Sequence, residues 1–363
     1  MGENLKLVLD NIIFFLQVSG GGSVYWAETI KKLDKKNIDI EYFEPAGDSK
    51  NIFYDKLRNE LTHPVRKEAW NSKLLTFLSF KKRSQSKYIF HSSYYRVSTS
   101  PEAINVVTIH DFMPEMFFKG LKLLYHTYRK KKAILKANGI ICVSENTCQD
   151  LLQYYPQASR KPIKTIPLGV SDDYYPLSER DSKLEIDLPP RYTLFVGRRA
   201  YYKNFSFAID LMAELKNFHL VIAGEDLSND ERKHLAKISN NFTLIRNPDS
   251  RMLNKLYNNA FCLLYPSYYE GFGIPVIEAM AAGCPVVALN SSSIPEVSNG
   301  AALLLDQLTI SVFAEAILSL ENEPFRSELK RKGLENAKRF NWENSVNELY
   351  GFYESVYDKF RVN

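Results

Sequence analysis

The chain has 363 residues, which at roughly 150 residues per domain indicates two domains. Apolar residues make up 45% of the sequence and charged residues 25%, a composition that supplies large buried cores and excludes an intrinsically disordered chain. The formal net charge of +5 is too small for a chain of this length to bind nucleic acid by electrostatic attraction, so we expect no nucleic-acid partner.

The positive charge is concentrated in the first half of the chain. Residues 1–180 contain 27 Lys and Arg against 19 Asp and Glu, whereas residues 181–363 contain 20 against 23. The basic clusters of the first half lie among aromatic residues; they are Lys31–Lys36, Lys81–Arg83 and Arg129–Lys132. Such clusters are typical of solvated helix faces, and they also fit contact with an anionic membrane or an acidic acceptor.

Apolar runs that alternate with longer amphipathic stretches predict an α/β protein with parallel sheets covered by helices on both faces. In the first half of the chain, strands are expected at Ile12–Leu16, Tyr88–His91, Val106–His110 and Gly139–Ser144. Helices are expected between them, for example at Ser23–Leu33 and Ser144–Tyr154.

A glycine turn follows the first predicted strand and opens a helix. Gly21 and Gly22 come after Gly20, and such a turn lets the N–H groups of a helix start approach an anion; a plain tight turn has the same sequence. A dinucleotide-binding fingerprint would need a third glycine at position 25, which is Tyr, so an NAD site is excluded.

His110 closes a later apolar strand of the first half. A polar residue at the end of a parallel strand lies where ligands bind in open α/β sheets, although a buried, hydrogen-bonded histidine gives the same pattern. The remaining histidines and the four cysteines show no ligand-like spacing, so we expect no metal site.

A proline-rich, acidic stretch, Ser171–Pro190, predicts a linker between the two halves. In the second half, strands are expected at Thr193–Gly197, Leu220–Gly224, Phe242–Arg246, Phe261–Tyr265 and Val286–Leu289. The final segment, Trp342–Phe360, has an aromatic stripe at helical spacing that is typical of core packing.

Two basic residues follow the first strand of the second half. Arg198 and Lys203 lie just beyond the predicted carboxyl end of that strand, where a ligand of an open α/β sheet would bind. A guanidinium and an ammonium group there suit a diphosphate, although a basic pair alone is often solvated.

The segment Pro266–Val287 reads as strand end, glycine loop, helix, turn and strand. Gly271 and Gly273 allow close approach to a ligand, and the start of the helix at Pro275 presents N–H groups to an anion. Glu270 and Glu278 bracket this anion site, an arrangement that repels phosphate unless the carboxylates accept hydrogen bonds from hydroxyls. A nucleotide sugar has hydroxyls on both sides of a diphosphate, so it fits the pattern.

These motifs resemble the retaining glycosyltransferases of family 4, which have the GT-B fold. The resemblance rests on Glu270–Val287, Val196–Asn204 and Ile294–Val297. It implies two Rossmann-like, doubly wound domains facing across a cleft: an N-terminal acceptor-binding domain (1–180) and a C-terminal donor-binding domain (181–345). A C-terminal helix, 346–363, would cross back to the first domain.

The resemblance also implies roles for individual residues. Arg198 and Lys203 would hold the donor diphosphate and neutralise the leaving group, and Glu270 would contact the hydroxyls of the transferred sugar. His110 would contact the sugar from the opposite domain, and Glu278 would bind the ribose. The donor-binding set implied in this way is Gly21, Gly22, Gly271, Phe272, Gly273, Ile274, Glu278 and Arg246, and the base is expected near Leu244–Asn247.

The activity implied is transfer of a hexose, by family frequency mannose or glucose, from a nucleoside-diphosphate sugar to a glycan or lipid-linked glycan acceptor. It would retain anomeric configuration, need no metal ion and no cofactor beyond the donor substrate, and serve surface polysaccharide synthesis. Two alternatives stay open: a nucleotide-sugar epimerase with the same architecture, and a non-catalytic nucleotide-sugar binding protein.

The cysteines and the start of the chain bear on location. Four cysteines without paired spacing suggest small core residues in a reducing compartment. The first residues lack the pattern of a signal peptide, and the early apolar run is shorter than the roughly 20 residues of a spanning helix. We therefore expect a cytoplasmic protein, with peripheral contact at the inner membrane face left open.

Overall fold

A computed structural model describes residues 5–239 and 241–361. Residues 1–4, 240 and 362–363, which fall within the predicted domains and the predicted C-terminal helix, lie outside the described residues. The chain divides into two compact units, one running to Gly169 and resuming at Trp342, the other spanning Val170–Asn341. The sequence analysis placed these boundaries at 181 and 346. The linker belongs with the second unit because the backbone N–H of Tyr175 donates to Asn254 at 3.2 Å.

Among its described residues, the first unit contains a seven-stranded parallel sheet of order β3-β2-β1-β4-β5-β6-β7. Its elements are β1 (Lys6–Asp10), α1 (Gly21–Leu33), β2 (Asp39–Ala46), α2 (Tyr54–Glu60), β3 (Val65–Asn71), α3 (Ser72–Leu75), β4 (Tyr88–Ser92), β5 (Ala103–Ile109), α4 (Met113–Phe117), α5 (Gly120–Lys136), β6 (Gly139–Cys142), α6 (Glu145–Tyr154) and β7 (Ile163–Thr165). The strand order reverses between β1 and β4, where Leu7 lies opposite Ile89. Ligands of doubly wound sheets bind at the carboxyl ends of strands beside such a reversal.

The second unit repeats this arrangement with six parallel strands in the part of the chain that is described, in the order β10-β9-β8-β11-β12-β13. Its elements are β8 (Tyr192–Val196), α7 (Phe205–Glu214), β9 (His219–Gly224), α8 (Asn229–Leu235), β10 (Phe242–Arg246), α9 (Ser250–Asn259), β11 (Cys262–Tyr265), α10 (Ile274–Ala281), β12 (Val286–Leu289), α11 (Ile294–Ser298), β13 (Leu303–Leu305), α12 (Ile310–Ser319) and α13 (Glu323–Ala337). The order reverses between β8 and β11, where Leu194 lies opposite Leu263.

The last helix, α14 (Trp342–Phe360), packs in the first unit against α1, β4 and β5. Its apolar face is buried, and the hydroxyl of Tyr353 lies 2.6 Å from Nδ1 of His91. Burial lowers the pKa of His91 to about 3, so its imidazole is neutral and this contact is a hydrogen bond between uncharged groups. None of the described helices combines the length and apolarity needed to cross a membrane.

One predicted strand is wrong. The run Ile12–Leu16 forms a short 3₁₀ turn over Ile12–Phe15, and the strand lies earlier, at Lys6–Asp10. The chain turns there because the buried carboxylate of Asp10 accepts the N–H of Ile12 at 3.1 Å. The other predicted strands are confirmed within a few residues of their ends.

The junction between Gly169 and α14 has no room for a side chain, which gives a stability test. A Cβ at Gly169 would lie 2.4 Å from the backbone nitrogen of Trp342. We expect Gly169→Ala to lower the free energy of unfolding by about 1–3 kcal/mol, since either segment must shift to relieve the overlap.

The matched control is Gly351→Ala on the exposed side of α14, where a Cβ would meet nothing within 4 Å. Replacing a helix-interior glycine at such a position is expected to raise stability by up to roughly 1 kcal/mol. Urea unfolding midpoints measure both effects. Equal midpoints for wild type and Gly169→Ala would contradict the packing described at this junction.

Candidate functional site

The loop after β8 carries the two basic residues predicted for the second unit. Gly197 has φ +100°, a backbone conformation that suits glycine, and Arg198 follows with an exposed side chain. Arg198 Nε donates to Glu225 Oε1 at 3.1 Å. The side chain of the neighbouring Arg199 is only 4% exposed, with Nε 2.7 Å from Glu231 Oε1. Arg198 is therefore the arginine of this loop whose guanidinium faces solvent.

Lys203 is held by the turn that leads into α7. It ends a short 3₁₀ turn, and Asn204 follows in the left-handed conformation with φ 52°. The amide of Asn204 donates to the carbonyl of Pro266 at 2.7 Å, and the N–H of Tyr268 donates to the carbonyl of Tyr202 at 2.8 Å. These two bonds fasten the loop after β8 to the loop after β11.

Lys203 and Glu270 meet at this junction. Lys203 Nζ lies 2.9 Å from Glu270 Oε1, and their side chains are only 12% and 13% exposed. Lys203 Nζ also lies 3.5 Å from the hydroxyl of Tyr265, the last residue of β11. The strand order places β8 beside β11, so two loops 67 positions apart in sequence form one charged pair at the reversal point. A group bound by Lys203 is thus within reach of Glu270.

Three serines after β12 fix the glycine loop, and the sequence analysis missed them. Ser292 Oγ accepts the N–H of Glu270 at 2.8 Å. Ser293 Oγ is 2.9 Å from the carbonyls of both Glu270 and Phe272, and Ser291 Oγ donates to the carbonyl of Tyr268. The run of three serines before Ile294–Val297 was the available signal, but its partners lie more than 20 residues away.

The predicted helix behind the loop is confirmed as α10. Gly273 precedes it with φ +98°, a backbone conformation that favours glycine, and a Cβ there would lie 2.7 Å from Ile294 Cδ1, so the Ile294 side chain would have to move to admit one. No side chain caps the start of α10, where Ile274 is the first residue and Pro275 the second. The loop Gly271–Gly273 directly follows Glu270 of the Lys203–Glu270 pair and leads into this helix start.

Glu278 occupies a different environment from Glu270. Tyr257 donates its hydroxyl to Glu278 Oε2 at 3.0 Å, and Tyr174 also hydrogen-bonds this carboxyl. Burial raises the pKa of Glu278 to about 7, against the opposing effect of the two tyrosines. Neither tyrosine was predicted, because they come from the linker and from α9 rather than from the motif.

Arg246 ends β10, the edge strand of the second sheet, and its side chain is exposed. It pairs with Asp226. Its role in binding a nucleotide base stays a prediction, since β9 separates its strand from β8, whose loop carries Lys203.

In the first unit, the glycine turn and His110 lie at the same edge of the sheet. Helix α1 begins at Gly21, and a Cβ at Gly22 would lie 3.3 Å from the amide nitrogen of Gln17, whose side chain covers the turn. His110 follows β5, and its ring lies 4.9 Å from that of Tyr25 in α1. Burial lowers the pKa of His110 to about 4, so a neutral imidazole is present at pH 7.

Across residues 5–239 and 241–361, no group of three or more His, Cys, Asp or Glu side chains is arranged to hold a metal ion.

Two family models of known proteins together match most of the chain. Residues 19–174 match the family model described as Glycosyltransferase Family 4, and residues 178–340 match that of Glycosyl transferases group 1. The O-antigen chain mannosyltransferase B of Escherichia coli is 27% identical over 317 residues, which cover 81% of this chain and 78% of that protein.

A longer Escherichia coli relative, the serotype-specific mannosyltransferase WbdA, is 23% identical over 281 residues, 70% of this chain and 34% of that protein. The chain thus spans about a third of it. Among solved structures, Anabaena Alr3699/HepE in complex with UDP-glucose superposes with a TM-score of 0.74 at 16% identity, covering 97% of this chain and 100% of that one. The likeness shows that the fold is GT-B.

The raised pKa of Glu278 makes stability depend on pH. An unfolded glutamate loses its proton near pH 4.5, whereas Glu278 in the folded chain keeps its proton up to about pH 7. Stability from this group is therefore present at low pH and is lost as the pH rises from 4.5 to 7. The Glu278→Gln variant has no carboxyl group at this position and so does not lose this stability. As the pH rises from 4.5 to 7, the free energy of unfolding of the variant minus that of wild type should therefore increase by on the order of 2–3 kcal/mol.

Urea unfolding at pH 4.5, 6 and 8 without nucleotide measures this difference, with Glu315→Gln on the exposed side of α12 as the matched control. A difference between Glu278→Gln and wild type that stays constant with pH, or that matches the control, would refute the described environment of Glu278.

Proposed function

The chain belongs to the group 1 glycosyltransferases of family 4, which have the GT-B fold, and from this premise we propose a specific reaction. The protein transfers a hexose from a nucleoside-diphosphate sugar to a glycan or lipid-linked glycan acceptor, with retention of anomeric configuration and without a metal ion. The product is part of a surface polysaccharide. The 2.9 Å contact between Lys203 and Glu270 carries the proposal.

The Lys203–Glu270 pair matches the chemistry of a sugar donor. In such a donor, the anomeric carbon carries the negative phosphate on one side and the sugar ring with its neutral hydroxyls on the other. Lys203 binds the phosphate as a point charge, and Glu270, released from part of its ion pair, accepts hydrogen bonds from the sugar hydroxyls. A simple anion would gain from Lys203 but would be repelled by Glu270, so the pair favours the combined ligand.

Cations and backbone N–H groups would supply the charge stabilisation. Arg198 and Lys203 lie on the same loop, and Glu270, which contacts Lys203, leads directly into Gly271, Gly273 and the start of α10. As the bond between the anomeric carbon and the phosphate oxygen breaks, negative charge grows on the departing diphosphate. Fixed positive groups stabilise that charge without reorganisation, which supports a metal-independent reaction.

The environment of Glu270 supports a positioning role rather than nucleophilic attack. Its carboxylate is bound by Lys203 and its backbone N–H by Ser292, so both its side chain and its backbone are held in place. In the proposed step the acceptor oxygen forms a bond to the anomeric carbon on the face that the phosphate leaves. The acceptor proton passes to the departing phosphate oxygen, and configuration is retained.

The donor is proposed from the relatives and from the site together. Two Escherichia coli relatives are named as mannosyltransferases, and the Anabaena structure was solved with UDP-glucose, so we infer a mannosyl or glucosyl donor. Glu278, held by Tyr257, would accept the ribose hydroxyls, and Arg246 would lie near the base. His110 and the turn at Gly21–Gly22 would contact the sugar from the first unit.

The experiment is a transfer assay in excess EDTA. Radiolabelled GDP-mannose, UDP-glucose, UDP-galactose and UDP-N-acetylglucosamine are incubated with free and polyprenyl-diphosphate-linked oligosaccharides, and the anomeric proton of the product is read by NMR. We expect one hexose donor to support transfer with the donor's anomeric configuration. Inversion would refute the retaining mechanism, and activity restored only by Mn²⁺ would refute metal independence.

Lys203→Ala is the diagnostic variant in this assay. We expect kcat to fall at least a hundredfold, equivalent to about 2.7 kcal/mol, because the lost charge faces the developing one. Lys233→Ala is the matched control, since Lys233 is an exposed lysine of the same unit, and its kcat should not change. A circular dichroism melting curve checks that Lys203→Ala folds; a folded Lys203→Ala with unchanged kcat would contradict the proposal.

A further inference from the structure

Helix α5 exposes an apolar stripe. Leu121, Leu124, Tyr128 and Leu135 are 84%, 62%, 65% and 46% exposed. Their spacings of three, four and seven residues place them on one face of the helix. An apolar face of this length is normally buried against another element, and a large exposed apolar patch marks a contact surface.

The stripe continues onto the segment after α3. The ring of Phe77, 57% exposed, lies 5.4 Å from that of Tyr125 in α5, and Thr76 Oγ1 lies 3.3 Å from the Tyr125 hydroxyl. Phe77 and Leu78 line a small cavity together with Tyr128. We define the α3–α5 surface as Phe77, Leu78, Leu121, Leu124, Tyr128 and Leu135.

The charged side chains of α5 have one sign. No acidic residue occurs in α5, while Lys122, Lys131 and Lys136 of that helix are exposed. The predicted basic cluster Arg129–Lys132 is divided by the fold rather than forming one solvated face. Arg129 and Lys130 are buried, and Lys131 points outward beside the apolar stripe.

The buried half of this cluster anchors α5. Lys130 Nζ lies 2.6 Å from Glu115 Oε2 and 2.8 Å from the carbonyl oxygen of Asp111. Arg129 lies over the ring of Tyr94, 4.5 Å from its centre. The helix is therefore fixed by its inner face, and its apolar outer face is presented in a defined orientation.

We propose that the α3–α5 surface binds a bilayer containing anionic phospholipids. The apolar side chains enter the boundary between headgroups and acyl chains, and the lysines stay with the phosphates on their long aliphatic stems. A second copy of the chain fits this surface poorly. A symmetric contact would bring two sets of lysines together without an acidic residue of α5 to pair with them.

The position of α5 relative to the first sheet indicates where a lipid-linked acceptor would bind, an inference that rests on the proposed function. Lys130 ties α5 to the carbonyl of Asp111, the residue next to His110 at the end of β5. The membrane-binding helix is thus attached to the edge of the first sheet where we place sugar contact. A lipid-linked glycan in the bilayer would be presented at that edge.

The test is vesicle flotation of the full chain. Vesicles of phosphatidylcholine with 40% phosphatidylglycerol are compared with pure phosphatidylcholine, each at 0.1 M and 0.5 M NaCl. We expect at least tenfold more protein on the anionic vesicles, reduced by high salt. Leu121→Gln/Leu124→Gln should lower binding at least tenfold, whereas Val312→Gln/Leu318→Gln, exposed apolar positions of α12, should not.

Charge is tested by a second matched pair. Lys122→Gln/Lys131→Gln/Lys136→Gln should lower binding to the anionic vesicles at least tenfold. The control variant replaces three exposed lysines of the second unit and removes the same charge: Lys233→Gln/Lys332→Gln/Lys338→Gln. Its binding to the anionic vesicles should equal that of wild type. Equal losses in the two triple variants would overturn the proposal, as would a wild type that does not float with the anionic vesicles.

Two further readouts keep the proposal separate from its alternatives. Sedimentation equilibrium that shows a dimer in wild type and a monomer in Leu121→Gln/Leu124→Gln would assign the α3–α5 surface to a second copy and overturn the proposal. Transfer to a free oligosaccharide should be unchanged in this variant. Vesicle binding needs neither donor nor acceptor, so its failure would leave the proposed reaction standing.

Discussion

The ion pair between Lys203 and Glu270 is the constraint on which the second unit's site depends. It exists because β8 and β11 are neighbours where the strand order reverses, so the loops that follow them must meet. Both side chains are almost buried, and removing one charge would leave the other without compensation. In the proposed reaction, a ligand with an anion beside hydrogen-bond donors would compensate both halves of the pair.

The two glutamates of the motif show how environment separates two chemically identical groups. Glu270 is bound by an ammonium group and its backbone N–H by Ser292, whereas Glu278 is bound by tyrosine hydroxyls in surroundings that raise its pKa. The first is paired with an almost buried ammonium group, next to the place where we propose that the phosphate binds. The second can hold or release a proton near neutral pH. Their spacing of eight positions in the sequence says nothing of this difference.

Sequence analysis predicted the elements that local patterns determine. Strands β8, β11 and β12 are almost entirely apolar and fully buried because both sheet faces are covered there, and the motif at 270–278 carries its own turn and helix signals. Edge strand β3 was missed because its exposed polar residues interrupt the apolar pattern. The serines and tyrosines that hold the glutamates were missed for another reason: their partners come from distant segments, and no local pattern records a tertiary contact.

The most direct test is calorimetric titration of Glu270→Gln and wild type, in EDTA, with UDP or GDP and with the corresponding hexose donor. If Lys203 and Glu270 form one site for phosphate and sugar, the variant binds the free diphosphate at least as tightly as wild type, because repulsion is removed. In wild type, the hexose donor should bind more tightly than the free diphosphate, and in Glu270→Gln this difference in affinity should disappear. Equal weakening of both ligands, or no change in either, would contradict the shared site.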